Sequence, residues 1–113
     1  MTDYKPVTRE RMEKALHFLA TSDEPEAQLH KLYEEKKERA KSEFKIIAAH
    51  SDGKNQELRE AAAYQHERYQ STKAAELLVL SEWCTLKNQR STADRLIDAW
   101  RSLNAARNKG QIV

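Results

Sequence analysis

Two short segments of this chain repeat one pattern: Glu13 to Leu19 (EKALHFL) and Glu26 to Leu32 (EAQLHKL) both read Glu-x-x-Leu-His-x-Leu. On a helix this spacing sets Glu13 beside His17 and Glu26 beside His30, one turn apart on the same face. A carboxylate-bridged metal site in a helical bundle uses Glu and His, but its usual interval is Glu-x-x-His on two helices, joined by two further inward glutamates. The interval here is one residue longer. Glu and His at this separation are also common as solvated pairs, so metal binding through Glu13, His17, Glu26 and His30 ranks as a second alternative, and no metal or other cofactor is expected.

The other reactive side chains point away from catalysis. His50 falls where a helix ends, and its ring beside the last carbonyls is sufficient reason for it. His66, in AAAYQHERYQ, reads as a half-buried residue of a polar helix. The single Cys84, between Trp83 and Thr85, cannot form an intramolecular disulfide or a Cys-based zinc knuckle and reads as a small buried hydrophobe. No Gly-rich phosphate loop is present, and no serine has the strand-turn-helix setting that exposes a nucleophile. The expectation is a non-enzymatic protein with no small-molecule substrate.

The elements that must carry these residues are helices. In this 113-residue chain, one domain's worth, about half of the residues are Ala, Glu, Lys, Leu or Arg, a helix-forming composition. Basic and acidic residues number 20 and 18, so the net charge of +2 argues for a folded chain over a solvated coil. Apolar residues are few and often alanine, which leaves a lone chain a thin core. No apolar run approaches the roughly 20 residues of a membrane span, no signal-peptide pattern opens the sequence, and a cytoplasmic location is expected.

Pro6, Pro25, Gly53 and Gly110 are the helix breakers, and they predict an all-α fold with helices over about 9–20, 24–50 and 55–108. Thr8 suits the first N-cap. In TSDEPE, Asp23 and Glu26 have the form of a capping box with Pro25 in the first turn. Gly53 suits a left-handed helix end, Asn55 the next cap, and Gly110 the close of the last helix. The third segment takes a heptad register through Leu58, Ala62, Gln65, Tyr69, Thr72, Glu76, Val79, Trp83, Leu86, Arg90, Ala93, Ile97 and Trp100. Ser91 and Asp94 also resemble a cap, so one helix and two helices jointed near Arg90 stay equally open. The fold is thus expected as a single domain, 1–113: an antiparallel helical hairpin or coiled-coil-like bundle of three to four helices with one very long or jointed C-terminal helix.

Helix two can cover the third segment only to about Leu80, and the first helix is too short to cover the rest. Trp83, Leu86, Ile97, Trp100 and Leu103 are therefore expected to form an interface, with a second copy of the chain preferred over a jointed helix folding back. Residues 87–113 carry six basic side chains, Lys87, Arg90, Arg95, Arg101, Arg107 and Lys109, against two acidic ones. Such a patch suits an acidic protein surface or the phosphates of nucleic acid. The basic footprint of a dedicated nucleic-acid binder is larger than this chain's near-neutral balance provides, which makes that reading the first alternative.

The close of the chain, ADRLIDAWRSLNAARNKGQIV, with its aromatic and leucine on one helix face and its Arg-x-Lys-Gly-x-Ile ending, resembles the close of small helical accessory proteins encoded by tailed bacteriophages and prophages. The resemblance covers about 20 residues. It implies a small intracellular protein that works by binding a partner, within recombination or replication loci or against a host system, and it assigns no functional residues.

Overall fold

A computed structural model describes residues 6–111; residues 1–5 and 112–113 lie outside the described residues. The fold is all-α, a helical hairpin with a very long C-terminal helix. Three helices follow in order: α1 (Arg9–Ala49), α2 (Gln56–Gln65) and α3 (Glu67–Gln111). The chain divides into two compact units, Met1–Glu26 with Thr85–Val113, and Ala27–Cys84.

Helix α1 begins as its sequence predicts: the Arg11 amide donates to Thr8 Oγ1 at 3.2 Å. It then continues through the expected break at residues 21–23, so helices one and two are a single helix of 41 residues with Pro25 inside it. The correction has a physical reason. Ser22 and Glu26 fall on the inward ladder Met12, Ala15, Leu19, Ser22, Glu26, Leu29, Tyr33, Lys36, Ala40, Glu43 and Ile47, every member of which is buried or half-buried. This is an unbroken heptad, and its polar members pass for a linker only when read without a partner helix. The Thr21 hydroxyl donates to the His17 carbonyl at 2.9 Å, a helical back-bond in place of a cap.

The third segment also breaks elsewhere than expected. Helix α3 runs unbroken past Arg90, Ser91 and Asp94, and the interruption lies at His66. His66 has extended backbone (φ −71°, ψ 133°), and its amide donates to the Ala63 carbonyl. Its ring Nδ1 accepts from the Arg68 amide at 3.1 Å, so the imidazole caps α3 where Ser, Asp or Asn would ordinarily serve. His66 is exposed, not half-buried, in this role. The break shifts the register of α2: Leu58, Ala62 and Gln65 are exposed and Ala63 is fully buried instead, whereas from Tyr69 to Trp100 each expected heptad position is buried or half-buried.

Between α1 and α2, Asn55 caps as expected, its Oδ1 accepting from the Leu58 amide at 2.9 Å. Neither Gly53 nor Gly110 has a positive φ, and Gly110 lies within α3. Gly53 is required by proximity: a Cβ there would stand 2.9 Å from the Arg59 amide nitrogen and 3.1 Å from the Leu58 carbonyl carbon. Gly53→Ala is accordingly expected to cost about 1–3 kcal/mol through overpacking against backbone, read as a lowered melting temperature; an unchanged melting curve would mean that the turn yields.

In the first unit α1 and α3 run antiparallel, since Ala15 packs with Ala93 and Ile97 while Leu19 and Ser22, further along α1, meet Arg90, earlier on α3. The cluster is completed by Met12, Phe18, Leu19 and Leu96. In the second unit the order is the same: His30 and Tyr33 meet Trp83, and Phe44 meets Tyr69. The buried hydrophobic residues are Ala15, Ala40, Ala48, Ala63, Ala93, Val79 and Ile97. Alanine permits close helix approach at no side-chain entropy cost, but each contributes little apolar area.

Candidate functional site

Of the expected interface residues, Trp83 and Ile97 meet α1 of their own chain. Helix α1 is long enough to pair with α3 in both units, which removes the premise that helix one leaves the second half of α3 uncovered. Trp83 is half-buried, stacked flat on His30 with ring centroids 4.4 Å apart and on Tyr33 at 5.5 Å. Ile97 is buried beside Ala15 and Ala93, Leu86 and Trp100 are half-buried, and Leu103 is 44% exposed.

The basic residues separate into two roles. Arg90 occupies a core position of the heptad and turns its guanidinium across the hairpin: Nη1 donates to the Leu19 carbonyl at 2.9 Å and to Ser22 Oγ at 2.7 Å, and Nη2 meets Asp23 Oδ1 at 3.3 Å. Asp23 is thereby a cross-helix partner, not a cap. Lys87, Arg95, Arg101, Arg107 and Lys109 are exposed. They do not form an uninterrupted basic face, because Lys87, Asp94 and Arg101 repeat at seven residues along one stripe, and Asp98 lies 3.9 Å from Arg101.

The Glu and His pairs stand on one helix. Their 13-residue offset separates them by about 20 Å along α1, so they cannot converge as four ligands. Glu13 instead pairs with Arg9 at 3.2 Å, and His30 lies against Trp83 and 3.7 Å from Glu34. Among the described residues no group of three or more His, Cys, Asp or Glu side chains is placed to hold a metal ion. His50 ends α1 as expected, with ring Nδ1 2.8 Å from the Ile46 carbonyl oxygen.

No family model matches the chain, and no curated protein or solved structure shows significant similarity to it.

Two surfaces of the second unit escaped the sequence reading. The first is the outward side of α3, where Gln70, Ala74, Leu77, Ser81 and Cys84 follow one another at intervals of four and three residues, all exposed; Cys84 is thus not buried as expected, because its neighbour Trp83 takes the inward position. This is a second heptad stripe, opposite the one that packs on α1, and it carries no charge in a chain whose residues are 34% charged. Leu77 is 50% exposed and Leu78, beside it, 63%. Polar and small residues hide such a stripe from a search for hydrophobic periodicity, although the missing charges were visible.

The second surface is a basin of about 360 Å³ lined by residues of α1, α2 and α3, among them Lys37, Lys41, Lys45, Lys73, Tyr64 and Glu76. The three α1 lysines recur every four residues and so share one helix face. Phe44, Tyr64 and Tyr69 form a ring cluster with centroids 4.7–5.8 Å apart. Glu76 is buried, and its Oε2 accepts from Lys73 Nζ at 2.9 Å. That hydrogen bond holds the Lys73 ammonium above the usual lysine range, against the lowering effect of burial.

Among the described residues no helix is long and apolar enough to cross a membrane.

Proposed function

We propose that this protein is a non-enzymatic helical interaction protein that works as an assembly of identical copies, joined through the outward stripe of α3. The observation that carries this reading is the uncharged heptad Gln70, Ala74, Leu77, Ser81 and Cys84 with Leu78 at its edge, exposed on a helix whose opposite side is already paired. A helix with one apolar stripe completes a hairpin; a second stripe serves another helix.

Burying the exposed half or so of Leu77 and Leu78 would contribute about 1–2 kcal/mol each, a gain that the alanine-rich core makes valuable. The resemblance of residues 93–113 to tailed-phage accessory proteins supports the same class, a small cytoplasmic factor acting by binding and not by catalysis.

Replacing both leucines, Leu77→Glu with Leu78→Glu, sets charges against their own copies across a symmetric seam and leaves the α1-facing ladder intact. The expected outcome is a chain of 13.1 kDa with undiminished helical circular dichroism. An assembly of unchanged mass in that variant would remove the reading.

A further inference from the structure

We propose that the basin formed by α1, α2 and α3 in the second unit binds a nucleotide, with its phosphate on Lys37, Lys41 and Lys45 and its base stacked on Tyr64. Three observations converge on this ligand. The first is charge: Lys37, Lys41 and Lys45 on α1 and Lys73 on α3 line one cavity. Lys37 Nζ lies 5.9 Å from the Tyr33 ring, and Lys41 pairs with the exposed Glu38 at 3.6 Å. Ammonium groups gathered in this way favour a multivalent anion.

The second is a fixed aromatic surface. Tyr64 is 57% exposed, an unusual state for a ring that Phe44 and Tyr69 hold at 4.7 and 5.8 Å. Because those neighbours already set its orientation, stacking a base on its open face would cost little side-chain entropy. The third is an acceptor without a donor. Glu76 is 3% exposed, and Oε1, in the side chain lining this cavity, is buried with no hydrogen-bond partner. A buried carboxylate oxygen left this way is costly and calls for a donor.

A nucleotide meets all three conditions: an anion for the lysines, a flat ring for Tyr64, and base N–H or sugar O–H groups for Glu76. Inorganic phosphate lacks the ring and the rigid donor edge, and an uncharged aromatic lacks the anion. The volume, at the low end of the ~300–1,000 Å³ typical of ligand sites, admits a single nucleotide, either free or as one unit of a single strand. This site is independent of the outward α3 stripe, so the two readings stand or fall separately.

The test is calorimetric titration of the full chain with adenosine monophosphate, with a short single-stranded oligo(dA), and with inorganic phosphate, at low and high salt. At least one of the two nucleotide ligands is expected to bind, more weakly at high salt, and at least five-fold more tightly than phosphate. Equal site affinities for the monophosphate and the oligomer would identify the free nucleotide as sufficient, and a markedly tighter oligomer would identify the strand. Tyr64→Ala and the pair Lys37→Ala with Lys41→Ala should each weaken binding at least five-fold without loss of helical signal, while Tyr64→Phe should retain it. Phosphate binding as tightly as the monophosphate, indifference to Tyr64→Ala, or no heat with any ligand at millimolar concentration would overturn the proposal.

Discussion

Arg90→Ala is expected to lower the melting temperature by about 8–12 °C, the equivalent of ~2–3 kcal/mol at roughly 4 °C per kcal/mol for a domain of this size. The guanidinium sits at an inward heptad position and holds the Leu19 carbonyl and the buried Ser22 hydroxyl at 2.9 and 2.7 Å. Hydrogen bonds from a charged group contribute ~1.5–3 kcal/mol each, and removing the donor leaves Ser22 6% exposed without its partner. Little of the effect belongs to Asp23, which is 80% exposed on its side chain and screened by water. Asp23→Ala should therefore change stability by well under ~1 kcal/mol. Equal losses in the two variants, measured by thermal melts followed by circular dichroism, would show that Arg90 acts as a surface ion-pair partner and that the hairpin is not closed at this position.

Pro25→Ala is expected to act in the opposite sense, raising stability by about 2–3 kcal/mol. Proline inside a helix removes an amide donor and crowds the carbonyl four residues earlier, at a cost of ~3 kcal/mol relative to alanine. Here the affected acceptor is the Thr21 carbonyl, within a helix that runs from Arg9 to Ala49. Alanine would restore that hydrogen bond without disturbing an inward position, because Pro25 is exposed. If residues 21–25 were a true helix start, proline would be well suited to the first turn and its replacement would be neutral or destabilising. A fall in melting temperature for Pro25→Ala would therefore contradict the continuous α1.

These two residues also show why the sequence alone divided the chain wrongly. Ser22, Asp23, Pro25 and Glu26 carry the local chemistry of a helix start, and what overrides it is Arg90, 68 positions from Ser22. Long-range pairing of that kind leaves no trace in local periodicity. The α3 ladder was legible from Tyr69 to Trp100 because its residues recur at intervals of three and four with few exceptions. It failed at Leu58, Ala62 and Gln65 because His66 interrupts the helix without a glycine or proline, using its own imidazole as the cap. Asn55 and Thr8 were legible because their capping is local.

The candidate sites were less legible than the fold. Trp83 and Ile97 are legible as contact residues, and each meets α1, whose length is hidden by the apparent break. Only the packing of α2 brings Tyr64 to Phe44 and makes Lys37, Lys41 and Lys45 the wall of a basin. The uncharged side of α3 was written in the sequence from Gln70 to Cys84, yet glutamine, alanine, serine and cysteine give it no hydrophobic signal.

The most direct measurement of the central claim is the mass in solution by light scattering across a range of protein concentrations, at low and high salt. Joining through an uncharged stripe predicts a mass of at least twice 13.1 kDa, rising or holding with concentration and insensitive to salt. A mass of 13.1 kDa at every concentration and salt would contradict assembly through α3.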